Sequence, residues 1–69
     1  MSLTIALDGM GGDHGPSVVV PAALQALAEH ADLALILVGD EQVLARELSA
    51  HGAEAGERLQ IRQIGRAHV

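Results

Sequence analysis

The chain has 69 residues, a formal net charge of -5, four strongly basic residues and no cysteine. That length allows one small domain at most, and the missing cysteines exclude a disulfide framework. The scattered basic residues exclude a nucleic-acid surface, which must neutralise a phosphate backbone. No apolar run approaches the roughly 20 residues that cross a bilayer. No Lys or Arg precedes the first apolar stretch, as a secretory signal would require. Hydrophobic residues make up 49% of the chain but none is aromatic, so the core is Ala, Leu, Val and Ile without the rings that bury most area. Domains this small usually lean on a disulfide, a metal or an oligomer. The histidines are scattered and no metal site is expected. The chain reads as a slice of a larger, cytoplasmic fold.

In chain order, Leu3, Ile5 and Leu7 alternate with Thr4 and Ala6 up to Asp8-Gly9, which predicts a first, mostly buried strand. Gly9 to Gly15 holds four glycines in seven residues and is loop. Val20, Leu24 and Leu27 then recur at helical spacing, with Ala23 and Ala31 on the same side. Pro16 suits the first position of that helix, whereas Pro21 lacks the N–H that a helix interior needs. A regular helix starting near Ser17, with Pro21 in its first turn, is favoured over a kink at Pro21. Leu33 to Val38 is continuously apolar, the mark of a strand covered on both faces of a parallel sheet. Asp40 suits a helix N-cap and Glu41 the first turn. Val43, Leu44 and Leu48 outline the second helix, and Gly52 closes it. His30 and His51 fall at helix ends, where a cationic ring suits the dipole. Ala53 to Glu57 is loop, and Leu59 and Ile61 open a third strand. Strand, helix, strand, helix, strand with short connections gives an α/β fold with a parallel sheet of the doubly wound class. Two helices cannot cover both faces of three strands, so the missing layers belong to further residues or another chain.

The chemistry-bearing stretch is Asp8, Gly9, Met10, Gly11, Gly12, Asp13, His14 and Gly15, followed by Pro16. Ligands of open parallel sheets bind beyond the carboxyl ends of the strands, where this loop falls. Glycines admit an anion close to the backbone, and successive N–H groups beside a helix N-terminus form a phosphate site. It is not a P-loop, which needs Gly-Lys-Ser/Thr. A dinucleotide pattern on Gly9 and Gly11 needs glycine where His14 stands, and the frame starting at Gly12 meets His14 and Ser17. Asp8 and Asp13 repel phosphate unless held away or bridged by a cation. Asp8 therefore either braces the loop through backbone N–H groups or faces the ligand, and Asp13 either caps the next turn or does the same. His14 is either a surface residue or an anion ligand and proton shuttle. No catalytic residue is identifiable.

Ile5-Ala6-Leu7-Asp8, Met10-Gly11-Gly12-Asp13-His14-Gly15-Pro16, Val20-Pro21-Ala22-Ala23-Leu24 and Leu37-Val38-Gly39-Asp40 together resemble the opening of the PlsX-type phosphate acyltransferases. Gly9 stands where that family usually has Ala or Val, a change expected to loosen the turn. The resemblance covers residues 3–62 of this chain and only the beginning of the family's longer sequence. It implies a three-layer α/β/α fold, of which only the first β-α-β-α-β portion is here. It also implies transfer of a fatty acyl group from acyl carrier protein to inorganic phosphate, giving acyl phosphate for phospholipid synthesis. No organic cofactor is implied. The implied protein is a homodimer, cytoplasmic and peripheral at the inner face of the membrane. The rivals are a phosphotransacetylase-like enzyme using acyl-coenzyme A, a stand-alone small-anion-binding module, and an inactive fragment. Residues 1–62 are expected to form the amino-terminal part of the enzyme domain, inactive alone. After Arg62 the likeness ends. One back-translation of residues 64–69, ATC GGA AGA GCA CAC GTC, resembles a sequencing-library adapter, so residues 63–69 are expected to be a non-native tail.

Overall fold

A computed structural model describes residues 2–10 and 15–63. The elements are β1 (Leu3–Asp8), α1 (Pro16–Glu29), β2 (Leu33–Gly39), α2 (Glu41–Ala50) and β3 (Leu59–Gln63), in the order that the hydrophobic pattern predicts. All strands are parallel, with β2 in the centre. The register sets Ile5 beside Leu35 and Leu7 beside Leu37, then Leu37 beside Ile61. Side chains alternate along a strand, so these residues share one face of the sheet. Both crossovers step in the same direction, and right-handed connections then place both helices over that face, where α1 and α2 touch.

The core follows from this arrangement. Leu33, Leu35 and Leu37 of β2 are buried against Val20 and Ala23 of α1, Leu44 and Leu48 of α2, and Leu59 of β3. Leu37, Leu44, Leu48 and Val20 are the most enclosed, each contributing roughly 1.5–3 kcal/mol relative to an exposed position. Ala34, Ile36 and Val38 point the other way and are only half-buried. Double coverage of β2, which its apolar run predicts, is therefore met on one face only. The described residues form two layers, a sheet and its helices.

β1 departs from expectation. It is exposed along most of its length, with Leu3 at 58% and Ile5 at 39%. The cause is position. β1 is the sheet edge, with no described strand on its outer side, and α1 leans over β2. Between β1 and α1 this leaves an apolar groove of about 400 Å³ along Ile5, Leu7, Val18, Ala22, Leu33 and Leu35. A second opening of about 470 Å³ continues past Leu3 to His30 and Asp32.

α1 starts within a residue of the expected place, but Pro21 falls beyond its first turn. Pro16 is its first residue and Pro21 lies inside it, in the second turn. The fixed φ of proline suits the first position, and the Gly15 carbonyl accepts from both Val18 N–H (3.1 Å) and Val19 N–H (3.0 Å). These bonds establish the helix before Pro21, whose missing N–H then removes one bond from it. Ala31 is not on the helix. It lies in the exposed turn after the C-cap His30. Arg58 closes that end from across the fold: its Nε donates to Leu33 O (2.9 Å), and its Nη2 donates to Leu27 O (2.9 Å) and to His30 O.

Candidate functional site

In a parallel sheet every strand points its carboxyl end the same way, so the β1–α1 and β2–α2 connections emerge on one edge. The first connection is the glycine loop, and the second is Asp40 alone. Of the loop, Asp8, Gly9, Met10 and Gly15 are placed, while Gly11, Gly12, Asp13 and His14 lie outside the described residues.

The loop leaves β1 in a fixed direction. Gly9 N–H donates to Val38 O at 2.8 Å, carrying the ladder one residue past the strand. Asp8 Oδ1 then accepts from Met10 N–H at 3.0 Å, a side-chain turn of the type Asp favours. This is a bond of the bracing kind, the first of the two roles open to Asp8. The loop re-enters beside its exit, since a Cβ built on Gly15 would lie 3.7 Å from Met10 O. Gly15 has φ 53° and ψ -131°, a backbone reserved in practice for glycine. As N-cap of α1 it brings no side-chain acceptor, and the first turn of α1 holds no acidic residue.

Gly9 sits in a close-packed place. It is buried and its φ is not positive. A Cβ there would lie 2.7 Å from Leu44 Cδ2 and 3.4 Å from Val38 O, so the space belongs to Leu44. Gly39 is alike: a Cβ on it would run into Met10 Cγ.

The N-terminus of α2 is closed by the protein itself. Asp40 Oδ1 accepts from Gln42 N–H (3.0 Å) and Val43 N–H (3.2 Å), while Gln63 Oε1 accepts from Glu41 N–H (2.9 Å). Asp40 was legible as a cap. Gln63 was not, because a residue distant in sequence gives no local signal of capping. It is the last residue of β3. Residues 64–69 lie outside the described residues.

His30 and His51 are both C-caps, as their positions predict, and His51 Nε2 lies 3.4 Å from Glu47 Oε2. Among the described residues no group of three or more His, Cys, Asp or Glu is arranged to hold a metal. No described helix is long and apolar enough to cross a membrane.

The family model described as "Fatty acid synthesis protein" matches residues 3–65. A phosphate acyltransferase of Nitrosococcus oceani is 59% identical over 61 residues, which is 88% of this chain and 18% of the relative. One from Halorhodospira halophila is 58% identical over 60 residues, 87% of this chain and 18% of the relative. One from Vibrio campbellii is 50% identical over 60 residues, with the same coverage of 87% and 18%. The chain thus spans under a fifth of the length of these curated relatives.

Proposed function

Because the chain belongs to the fatty acid synthesis protein family, we propose that it is the amino-terminal part of a phosphate acyltransferase and that its glycine loop is the inorganic-phosphate cradle. The observation that carries this is Gly15. A residue with no side chain and a positive φ opens α1 at the carboxyl end of β1. A helix start of this kind suits a small anion. The loop candidates from Asp8 to Gly15 act together in this reading, with Asp8 bracing rather than meeting the anion.

The reaction needs few protein groups. A phosphate oxygen attacks the carbonyl carbon of an acyl thioester and forms the C–O bond of a mixed anhydride. The C–S bond breaks, and the thiolate leaves and takes up a proton. The protein holds and orients the phosphate, and groups elsewhere in the longer chain stabilise the oxyanion. The acyl donor in this reading is acyl carrier protein. The working unit is a homodimer, peripheral at the inner face of the membrane. Residues 1–63 alone are inactive.

The test takes the complete open reading frame that encodes residues 1–63. The purified protein receives phosphate with acyl carrier protein thioester or with acyl-coenzyme A, and the product is trapped with hydroxylamine. Phosphate-dependent hydroxamate from the carrier-protein thioester is expected. Product from acyl-coenzyme A alone would make the enzyme phosphotransacetylase-like, and product from neither would refute the proposal.

A further inference from the structure

A loop that binds an anion needs an anchor, because an unanchored loop must be ordered each time ligand enters. Two glycines at the strand ends locate one here. Gly39 ends β2 and Gly9 follows β1, and neither has a positive φ. Their backbones do not demand glycine. What they share is a missing side chain opposite a large one. A Cβ on Gly39 would run into Met10 Cγ, lie 3.0 Å from Met10 Sδ and 3.3 Å from Leu44 Cδ1. A Cβ on Gly9 would lie 2.7 Å from Leu44 Cδ2.

The two absent side chains make a slot at the carboxyl ends of β1 and β2. Leu44, fully buried, fills it from α2. Met10 closes it from the loop with one side still exposed, at 38%. The backbone of Met10 is held at the same time by Asp8 Oδ1, and its carbonyl stands beside Gly15. Met10 is therefore fixed by backbone and by side chain, at the point where the loop exit meets the start of α1. Thioethers suit such a place because they adapt to irregular gaps.

We infer that Met10 is the positioning residue of the anion loop: its side chain, seated over Gly39 and against Leu44, sets where the loop leaves β1 relative to Gly15. This rests on the phosphate-cradle reading above. Met10 does not touch phosphate in this arrangement, so its loss acts through the loop. Ordering the freed loop then opposes phosphate binding, and the kcat of the saturated enzyme changes little.

The experiment uses the complete protein, assayed for acyl phosphate. Met10→Ala empties the slot from the loop side, and Gly39→Ala pushes an intact Met10 out of it. Both are expected to raise the KM for phosphate about tenfold, the loss expected when one more element must be ordered on binding. The kcat and the KM for acyl donor stay within about twofold. Met10→Leu keeps the volume and restores most of the phosphate KM. Leu59→Ala, a core change away from the loop, serves as control and lowers the melting temperature alone. The inference is overturned if Met10→Ala and Gly39→Ala only lower the melting temperature, as Leu59→Ala does, or if Met10→Leu behaves like Met10→Ala. A wild-type protein that forms no acyl phosphate removes the underlying reading, and that result precedes any variant.

Discussion

The two helices are built in opposite senses. α2 begins on a carboxylate, Asp40, with Glu41 in its first turn, and its exit turn passes through Gly52 at φ 71°. α1 begins on a glycine with no acid in its first turn and ends against a guanidinium, since Arg58 bonds Leu27 O and His30 O. A helix carries roughly half a positive charge at its start and half a negative charge at its end. In α2 the protein answers the positive end itself. In α1 the N-cap residue, Gly15, has no side chain with which to do so. Both starts lie at the same edge of the sheet, so position alone does not explain the difference. A structural helix has every reason to cap its N-terminus, since a good cap contributes about 1 kcal/mol. Gly15 offers α1 no side chain for that purpose, which is compatible with the anion reading proposed above.

The comparison breaks most readily at Gly15. Among the described residues a Cβ on Gly15 meets nothing closer than Met10 O at 3.7 Å, and the positive φ of 53° sets a conformational cost. Holding Ala at φ 53° strains the backbone by about 1–3 kcal/mol, or the loop re-aims to escape. In the complete protein kcat/KM for phosphate is expected to fall roughly a hundredfold, the scale of a small misplacement in a reacting site. Steady-state kinetics against phosphate checks this. An unchanged phosphate KM beside a lowered melting temperature would make Gly15 a purely structural turn.

Arg58 tests the other end of α1. Its guanidinium serves Leu33 O, Leu27 O and His30 O, a fan that one ammonium cannot copy. Arg58→Lys is expected to cost about 1–2 kcal/mol in denaturant unfolding of the complete protein, allowing for the exposed arm. Phosphate kinetics stay unchanged, because this clamp lies at the far end of the helix from Gly15. Equal stability of the lysine variant would show that only the charge matters there, and not the three bonds.

Much of this was legible in advance, and the failures have common causes. The β-α-β-α-β order, the Asp40 cap and the Gly52 turn follow from local rules, because periodicity and capping act within a few residues. The burial of β1 did not follow. Leu3, Ile5 and Leu7 look like core, but whether a strand is covered depends on neighbours that three strands and two helices do not supply. Arg58 and Gln63 escaped notice because their partners are distant in sequence, 31 and 22 residues away for Leu27 and Glu41. The glycines were read in part. Gly15 needs its conformation, while Gly9 and Gly39 need only space, and sequence does not separate these two demands. Of the candidate site, Asp8 shows the bracing bond, and the resemblance rather than the residues themselves supplied the reaction.

The smallest expected effect sharpens the comparison from the side of α2. Asp40→Ala removes the acceptor for Gln42 and Val43 N–H and should cost about 1 kcal/mol. Asp40→Asn keeps an acceptor oxygen and loses only the charge, so it should cost a few tenths of a kcal/mol to about 1 kcal/mol from the dipole interaction. In neither variant should the KM for phosphate move beyond about twofold, since Gln63 still occupies Glu41 N–H and tenfold would need about 1.4 kcal/mol of altered binding. If Asp40→Ala instead raises the phosphate KM as strongly as Gly15→Ala, the two helix starts behave as one site. If it lowers that KM, the freed positive end of α2 has begun to attract the anion, and Asp40 has been keeping phosphate on the α1 side. Only an unchanged KM leaves the division of labour intact, with a carboxylate reserving one helix start for structure and a glycine leaving the other for the ligand.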